Sequence, residues 1–191
     1  MSVRPVPREI VPWAAGLLGC KASELSLETV AGDASSRHYY RLSTGAATYV
    51  LAHAPPETEK NEEFASIGAI LEEAGVRVPR IFSIDLKRGF MLLEDLGDQT
   101  LLPLLNERSV DAFYGDALLL LDDIASVEIA GRVSPRYDLA LFREELSRFS
   151  EWFVEALLDK KILEQDWDLI HRFNQVLIDN ALEQPQVLVH R

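Results

Sequence analysis

The chain reads as an α+β protein built from two segments, an antiparallel sheet that carries one helix and then a run of helices. Three observations predict this. Residues 25–53 hold three strand-like runs, "LSLETVA", "HYYRL" and "TYVLA", separated by short turns of small residues, one of them at Gly45. Two further runs, "RVPRIFSID" and "GFMLLED", flank a turn over residues 85–89. Beyond residue 98 the apolar residues recur every three or four positions, which is helical spacing.

The first element in order is an amphipathic helix from Pro7 to Gly19, with Ile10, Val11, Ala14, Leu17 and Leu18 on its apolar face. The three strands follow, and Pro55 and Pro56 end the meander because proline has no N–H to give to a ladder. Residues 59–74 predict a helix with Phe64, Ile67, Ile70 and Leu71 inward, and Gly75 stands where a left-handed helix stop is expected. Two strands then complete the order β-β-β-α-β-β, and "LGDQT" with Gly97 leads out of the sheet. Helices are predicted over Asp111–Val127 (Phe113, Ala117, Leu120, Leu121 and Ile124 on one stripe), roughly Leu139–Lys160, and Glu164–Leu182. The last of these has Ile170, Phe173, Leu177 and Ala181 inward, and Pro185 stops it. In the closing "QPQVLVHR", the run "VLV" has the β-branched character of a buried strand.

Composition narrows the partners. Nineteen Lys and Arg stand against 31 Asp and Glu, a formal net charge of −12. That disfavours nucleic acid, which selects clustered cations, and disfavours anionic membrane surfaces. Cys20 is the single cysteine, so no intrachain disulfide forms; it reads as a small buried apolar residue in a reducing compartment. No apolar run approaches the ~20 residues of a membrane span. The N-terminus "MSVRPVPREIVPW" lacks the apolar centre of a signal peptide, which makes the cytoplasm the expected location.

The residues that carry chemistry begin with "AGDASSRHYYRL". Gly32, Asp33, Ala34, Ser35 and Ser36 form a small-residue loop between two strands, where backbone N–H groups can approach an anion closely. Arg37 at the loop exit adds a guanidinium fork suited to phosphate oxygens. The same run is also common turn chemistry. Position favours the phosphate reading. A small-residue loop after the first strand, a helix after the third, and "LLEDLG" leading into helices is the order of a kinase-type small lobe. In that order the backbone of Glu94, Asp95 and Leu96 faces adenine. "VLVHR" then corresponds to a strand and the first two letters of a catalytic loop, with His190 supporting that loop's backbone.

Together, "GDASSRHYYRL", "TYVLAHAPPE", "VPRIFSIDLKRGFMLLEDLGDQTL", "LFREELSRFSEWF" and "QPQVLVHR" resemble the aminoglycoside-phosphotransferase-like kinases. The branch they most resemble is the bacterial one that phosphorylates N-acetylmuramate and N-acetylglucosamine at the anomeric hydroxyl in cell-wall recycling. The resemblance implies a protein-kinase-like two-lobe fold. Its N-lobe, residues 1–95, is a five-stranded antiparallel sheet with one helix that binds the nucleotide. Its helical C-lobe, residues 96–191, stops short of the catalytic loop.

It further implies ATP-dependent phosphoryl transfer to a sugar hydroxyl with Mg²⁺, Gly32 to Arg37 binding phosphate and Glu94 to Leu96 binding adenine. Glu145 and Trp152, seven apart on one predicted helix face, are candidates for shaping the sugar site; the plainer reading is a surface acid and a core tryptophan. His38 and His53 read as structural. No metal ligand is assigned within the chain. The catalytic Asp, a metal-binding Asn and a later metal-binding Asp are expected after Arg191, so the 191 residues alone are expected not to turn over.

One departure stands out. Kinases of this order place a lysine in the third strand for the α- and β-phosphates, and "YVLAHA" puts Ala52 there. The usual Lys–Glu ion pair therefore cannot form, neither Glu62 nor Glu63 can take that role, and Arg37 or metal ions must carry the phosphate charge. Two other classes stay open beside the sugar kinase: a non-catalytic nucleotide- or sugar-binding pseudokinase, and an interaction domain with an unused kinase likeness. Within the kinase class, an aminoglycoside or choline-like acceptor is the alternative to an amino sugar.

Overall fold

The computed structural model describes residues 6–30, 36–128 and 136–188. Helix α1 spans Ile10–Leu18. The strands are β1 (Ser26–Thr29), β2 (His38–Ser43), β3 (Thr48–His53), β4 (Ile81–Asp85) and β5 (Phe90–Glu94), with α2 (Asn61–Glu73) between β3 and β4. Then come α3 (Val110–Ala125), α4 (Leu139–Arg148) running into a π-helical segment (Phe149–Leu157), and α5 (Glu164–Leu182). The described residues divide into two compact units, one holding α1 to α3 with the sheet and the other α4 to α5.

The sheet is antiparallel throughout, in the order β1-β2-β3-β5-β4. Strand alternation sends successive residues to opposite faces. Tyr40, Leu42, Leu51, Phe90 and Leu92 meet Ile10 and Ala14 of α1 on one face. Ala52, Ala54, Met91 and Leu93 form the other core, with Tyr39, Val50, Ile81, Ile84 and Phe64 of α2 packed against it. Strand β5 is buried on both sides, from Phe90 at 3 % exposed to Met91 at 0 %, which is why "FMLL" is a continuous apolar run. The sequence predicts one helix in this segment beside an unplaced N-terminal one; the fold gives each sheet face its own helix.

The stop signals act where the sequence puts them. Gly19 (φ 67°) and Gly75 (φ 83°) end α1 and α2 in left-handed conformations. Cys20 departs from expectation: lying just past the α1 stop, it is half-exposed, with a free thiol.

Gly89 carries the tightest constraint in the sheet. At φ 67°, a Cβ built on it would lie 2.0 Å from the carbonyl oxygen of Ala54. That carbonyl also accepts a hydrogen bond from the buried Asn61 Nδ2 at 2.7 Å, and the Ala54 N–H donates to the Gly89 carbonyl at 2.8 Å. The end of β3, the β4–β5 turn and the first residue of α2 are thus joined at one point.

In the second unit, the single helix expected over 139–160 changes type. Asp138 caps α4 by accepting from the Leu141 N–H at 3.0 Å. From Phe149 the winding is π-helical, which takes in an extra residue per turn and rotates the apolar face. The inward stripe expected for α5 is also corrected. Phe173 and Leu177 are exposed, and Ile178 is the buried residue, because α5 turns its Trp167–His171–Ile178 face towards α4. Val187 and Leu188 have no strand partner among the described residues, so the expected terminal strand does not form there, since a strand exists only as part of a ladder. Val189, His190 and Arg191 lie outside the described residues. Among the described residues no helix is long and apolar enough to cross a membrane.

Gly89→Ala is expected to lower stability by about 2 kcal/mol or more, from left-handed strain plus the clash with the Ala54 carbonyl. Thermal denaturation checks it: Gly16→Ala, where a Cβ would meet nothing within 4 Å, is the control expected to leave the midpoint unchanged or raise it.

Candidate functional site

Arg37, just before β2, and Tyr39 and Arg41 on its odd-numbered face stand in a row, and each end of that row meets carboxylates. Arg41 lies opposite Val50 on β3, and Tyr39 lies opposite Ala52. Ala52 is fully buried, with Met91 across the next ladder. This face is the one that packs against α2.

At the end nearer the connector that leaves β5 (residues 95–98), Arg41 grips two acids. Its Nε donates to Asp95 Oδ2 at 2.7 Å and its Nη2 to Asp95 Oδ1 at 3.0 Å, a bidentate fork. Its Nη1 donates to both oxygens of Asp98 at 2.7 Å. The Arg41 and Asp95 side chains are 18 % and 5 % exposed, whereas Asp98 is 79 % exposed, so the Asp95 arm is the shielded one. The Gly97 N–H also donates to Asp95 Oδ1 at 2.9 Å, and Gly97 sits at φ 84°. Hydrogen bonding to Arg41, then to the Gly97 N–H, holds the Asp95 carboxyl down at about 2 against the opposing effect of burial. Hydrogen bonding to Asp95, then to Asp98, raises the Arg41 guanidinium further above its ordinary value.

A second guanidinium holds the other side of the connector. Arg77 donates through both terminal nitrogens to Glu94, one contact measuring 2.8 Å, and the Arg80 N–H adds a bond to Glu94 Oε2 at 3.1 Å. These donors bring the Glu94 carboxyl down to about 2. The Glu94 N–H is already donated to the Arg80 carbonyl at 2.8 Å, so it is not a donor for a purine edge. Leu96, between the two clamps and Gly97, is 60 % exposed.

At the opposite end of the row, Arg37 forms an ion pair with Glu59 at 3.3 Å, the side chains 13 % and 15 % exposed. Its guanidinium lies over the Phe64 ring, 4.5 Å from the centroid. Ser36 precedes it, half-buried. Gly32, Asp33, Ala34 and Ser35 lie outside the described residues, as does His190. His38 and His53 face each other across β2 and β3, and His53 packs edge-on against Phe90 at 5.7 Å.

The acceptor candidates lie in the second unit. Arg148 donates to Glu145 at 2.6 Å, and Trp152 is 68 % exposed on the π-helical segment, not in the core. The change of winding between them breaks the seven-residue spacing that would have put them on one face. Neither lines the groove between the helices of this unit. That groove, of about 410 Å³, lies between α4 with its π-helical continuation and α5, and its lining includes Arg143, Ser150, Trp167, His171 and Asn174. Ser150 is 2 % exposed, and the Trp167 and His171 rings stack at 5.4 Å.

Arg41, Arg77, Glu59 and Asp98 were not singled out from sequence. The available signal was the alternation in "RHYYR", which puts Arg37 and Arg41 on one strand face, and the acid-rich "EDLGD". What could not be read was which acid meets which arginine, 54 residues apart for Arg41 and Asp95.

The sequence profile of the phosphotransferase enzyme family matches residues 26–191. The chain is 39 % identical over 166 residues to an N-acetylmuramate/N-acetylglucosamine kinase of Pseudomonas putida, covering 87 % of this chain and 49 % of that one. It is 40 % identical over 159 residues to the kinase of the same name from Pseudomonas aeruginosa, covering 83 % of this chain and 47 % of that one. The chain thus spans about half the length of these curated relatives. A solved Plasmodium vivax ethanolamine kinase shares the fold, with a TM-score of 0.62 at 12 % identity over 95 % of this chain and 54 % of its own.

The clamp predicts a pH dependence. The two carboxyls titrate at about 2 when folded, against 3.8 for Asp95 and 4.5 for Glu94 ordinarily. As pH falls, the unfolded chain therefore binds protons first, and stability is lost between about pH 4.5 and about pH 2. Urea midpoints measured across that range are expected to decline, and Asp95→Asn with Glu94→Gln to make the decline shallower.

Proposed function

The chain belongs to the phosphotransferase enzyme family, and from that premise we propose that it is the nucleotide-binding and part of the acceptor-binding portion of an ATP-dependent sugar kinase. The observation that carries the reading is the likeness to the two Pseudomonas kinases over more than four-fifths of this chain. The proposed acceptors are accordingly N-acetylmuramate and N-acetylglucosamine, phosphorylated at the anomeric hydroxyl, in the cytoplasm and in the service of peptidoglycan recycling.

The proposed division of labour gives nucleotide binding to residues 1–95 and acceptor binding to residues 96–191. The connector is held from both sides by Arg41 and Arg77. The chain at Asp95 and Leu96, held between fixed points and with Leu96 exposed, suits recognition of a purine edge, because a donor or acceptor that does not move on binding costs little ordering entropy. Ser36 and Arg37, with Gly32 to Ser35 before them, are the proposed phosphate contacts. Arg37 supplies the positive charge there, on the face where Ala52 offers none. Mg²⁺ is the metal this reading requires, and when bound it neutralises charge on the transferring phosphate. Among the described residues no group of three or more His, Cys, Asp or Glu converges to hold an ion. His190 is proposed as the scaffold of the catalytic loop.

On the acceptor side, Trp152 presents an exposed aromatic surface of the kind that covers the apolar face of a sugar ring. Glu145, oriented by Arg148, is the proposed hydrogen-bonding partner for hydroxyl or amide groups.

ATP consumption by the full-length protein across amino sugars, aminoglycosides and choline-like alcohols tests the proposal. Turnover is expected with N-acetylmuramate and N-acetylglucosamine, and the product is expected to have lost its free reducing end, since the phosphate occupies the anomeric oxygen. Turnover confined to aminoglycosides, or a product that still reduces, overturns the assignment.

A further inference from the structure

Arg37 and Glu59 join three parts of the first unit at one point. Arg37 follows the small-residue loop and begins the odd-numbered face of β2; Glu59 lies two residues before α2; and Phe64, on the first turn of α2, sits beneath the guanidinium. The start of α2 is itself anchored to the end of β3 through Asn61 and the Ala54 carbonyl. Ala52, across the ladder from Tyr39 on the same face, is fully buried and ends at Cβ, so no side chain from β3 brings a charge to this face.

From this arrangement we infer that Glu59 is a positioning residue: it orients Arg37 at the exit of the phosphate loop, and the Arg37–Glu59 pair takes over the task that a third-strand lysine and a helix glutamate perform elsewhere. The inference rests on the nucleotide reading given above.

The chemistry favours a pair of this kind. A long, flexible arginine side chain loses rotamer entropy when it is fixed on a ligand. A carboxylate on one side and an aromatic face below restrict the guanidinium plane before the ligand arrives, which offsets part of that cost. A lysine here could still pair with Glu59, but its ammonium has no plane to lie flat on the Phe64 ring, so its direction would be less restricted. The cation has moved from the third strand to the second, and its acid has moved from within the helix to the residues just before it. The charge stays on the face that packs against α2, since residues 37, 39 and 41 alternate with those facing α1.

The test compares MgATP with adenosine, using calorimetry on the full-length protein. Glu59→Gln keeps the shape and removes the charge. It is expected to weaken MgATP about five- to tenfold while adenosine affinity stays within about twofold, because the adenine contacts do not involve the pair. The exchange Arg37→Glu with Glu59→Arg then separates positioning from simple bracing. It is expected to recover the thermal midpoint, since the ion pair is restored in reverse, and not the MgATP affinity, since a carboxylate now stands at the loop exit. Unchanged or tighter MgATP binding in Glu59→Gln overturns the inference, as do parallel losses for ATP and adenosine, or recovery of MgATP affinity in the exchanged protein. All three would leave the nucleotide reading standing. A wild-type protein that binds neither ligand overturns that reading and the inference with it.

Discussion

The two-sided burial of β5, and of β3 beside it, is the constraint on which the rest of the first unit depends. A strand whose successive residues are Phe90, Met91, Leu92 and Leu93 must cover both of its faces, because either one left in water would expose a row of large apolar side chains. One helix cannot do this. Helix α1 takes the even-numbered side of β2 and β5, and α2 takes the other. Each helix accordingly needs its own stop and its own approach to the sheet, which Gly19, Gly75 and the Asn61–Ala54 contact provide.

Once the sheet is sandwiched, its polar chemistry is confined to the margins. Arginines occupy both ends of the α2-facing row on β2, and each is matched by acids from another part of the chain. Isolated surface ion pairs contribute little to stability. Here their value is geometric. Bidentate forks on Asp95 and Glu94 fix the direction in which the chain leaves β5, and the Arg37 pair fixes how the exit of the small-residue loop sits against α2. A family whose chemistry consists largely of holding phosphates and acceptor in place has a use for such rigidity.

Much of the first unit was legible because local rules and tertiary needs agree there. The period-two runs, the double proline after β3, and glycines at each left-handed stop specify the order of elements, although α1 starts three residues and β4 four residues later than expected. The second unit was less legible. Residues 139–157 have a helical apolar pattern throughout, yet the winding changes at Phe149, and that change decides that Trp152 faces water. In α5 the apolar stripe at Ile170, Phe173 and Leu177 suggested the inward face, while the groove is lined by Trp167, His171 and Asn174. Periodicity shows that a helix has an apolar face; it carries no information about which face a neighbour covers.

The sequence by itself determined the element order, the antiparallel meander, the likeness to the phosphotransferase family, and the lack of a lysine at Ala52. These depend on residue types and on spacings of a few positions. Only the tertiary structure decided that Arg41 grips Asp95 and Asp98, that Arg77 holds Glu94, and that Arg37 meets Glu59 over Phe64. With 31 acids available to 19 Lys and Arg, composition leaves the pairing open. Strand register removes that freedom, because sliding β2 by one residue would turn Arg37 and Arg41 to the opposite face of the sheet, away from every one of these partners.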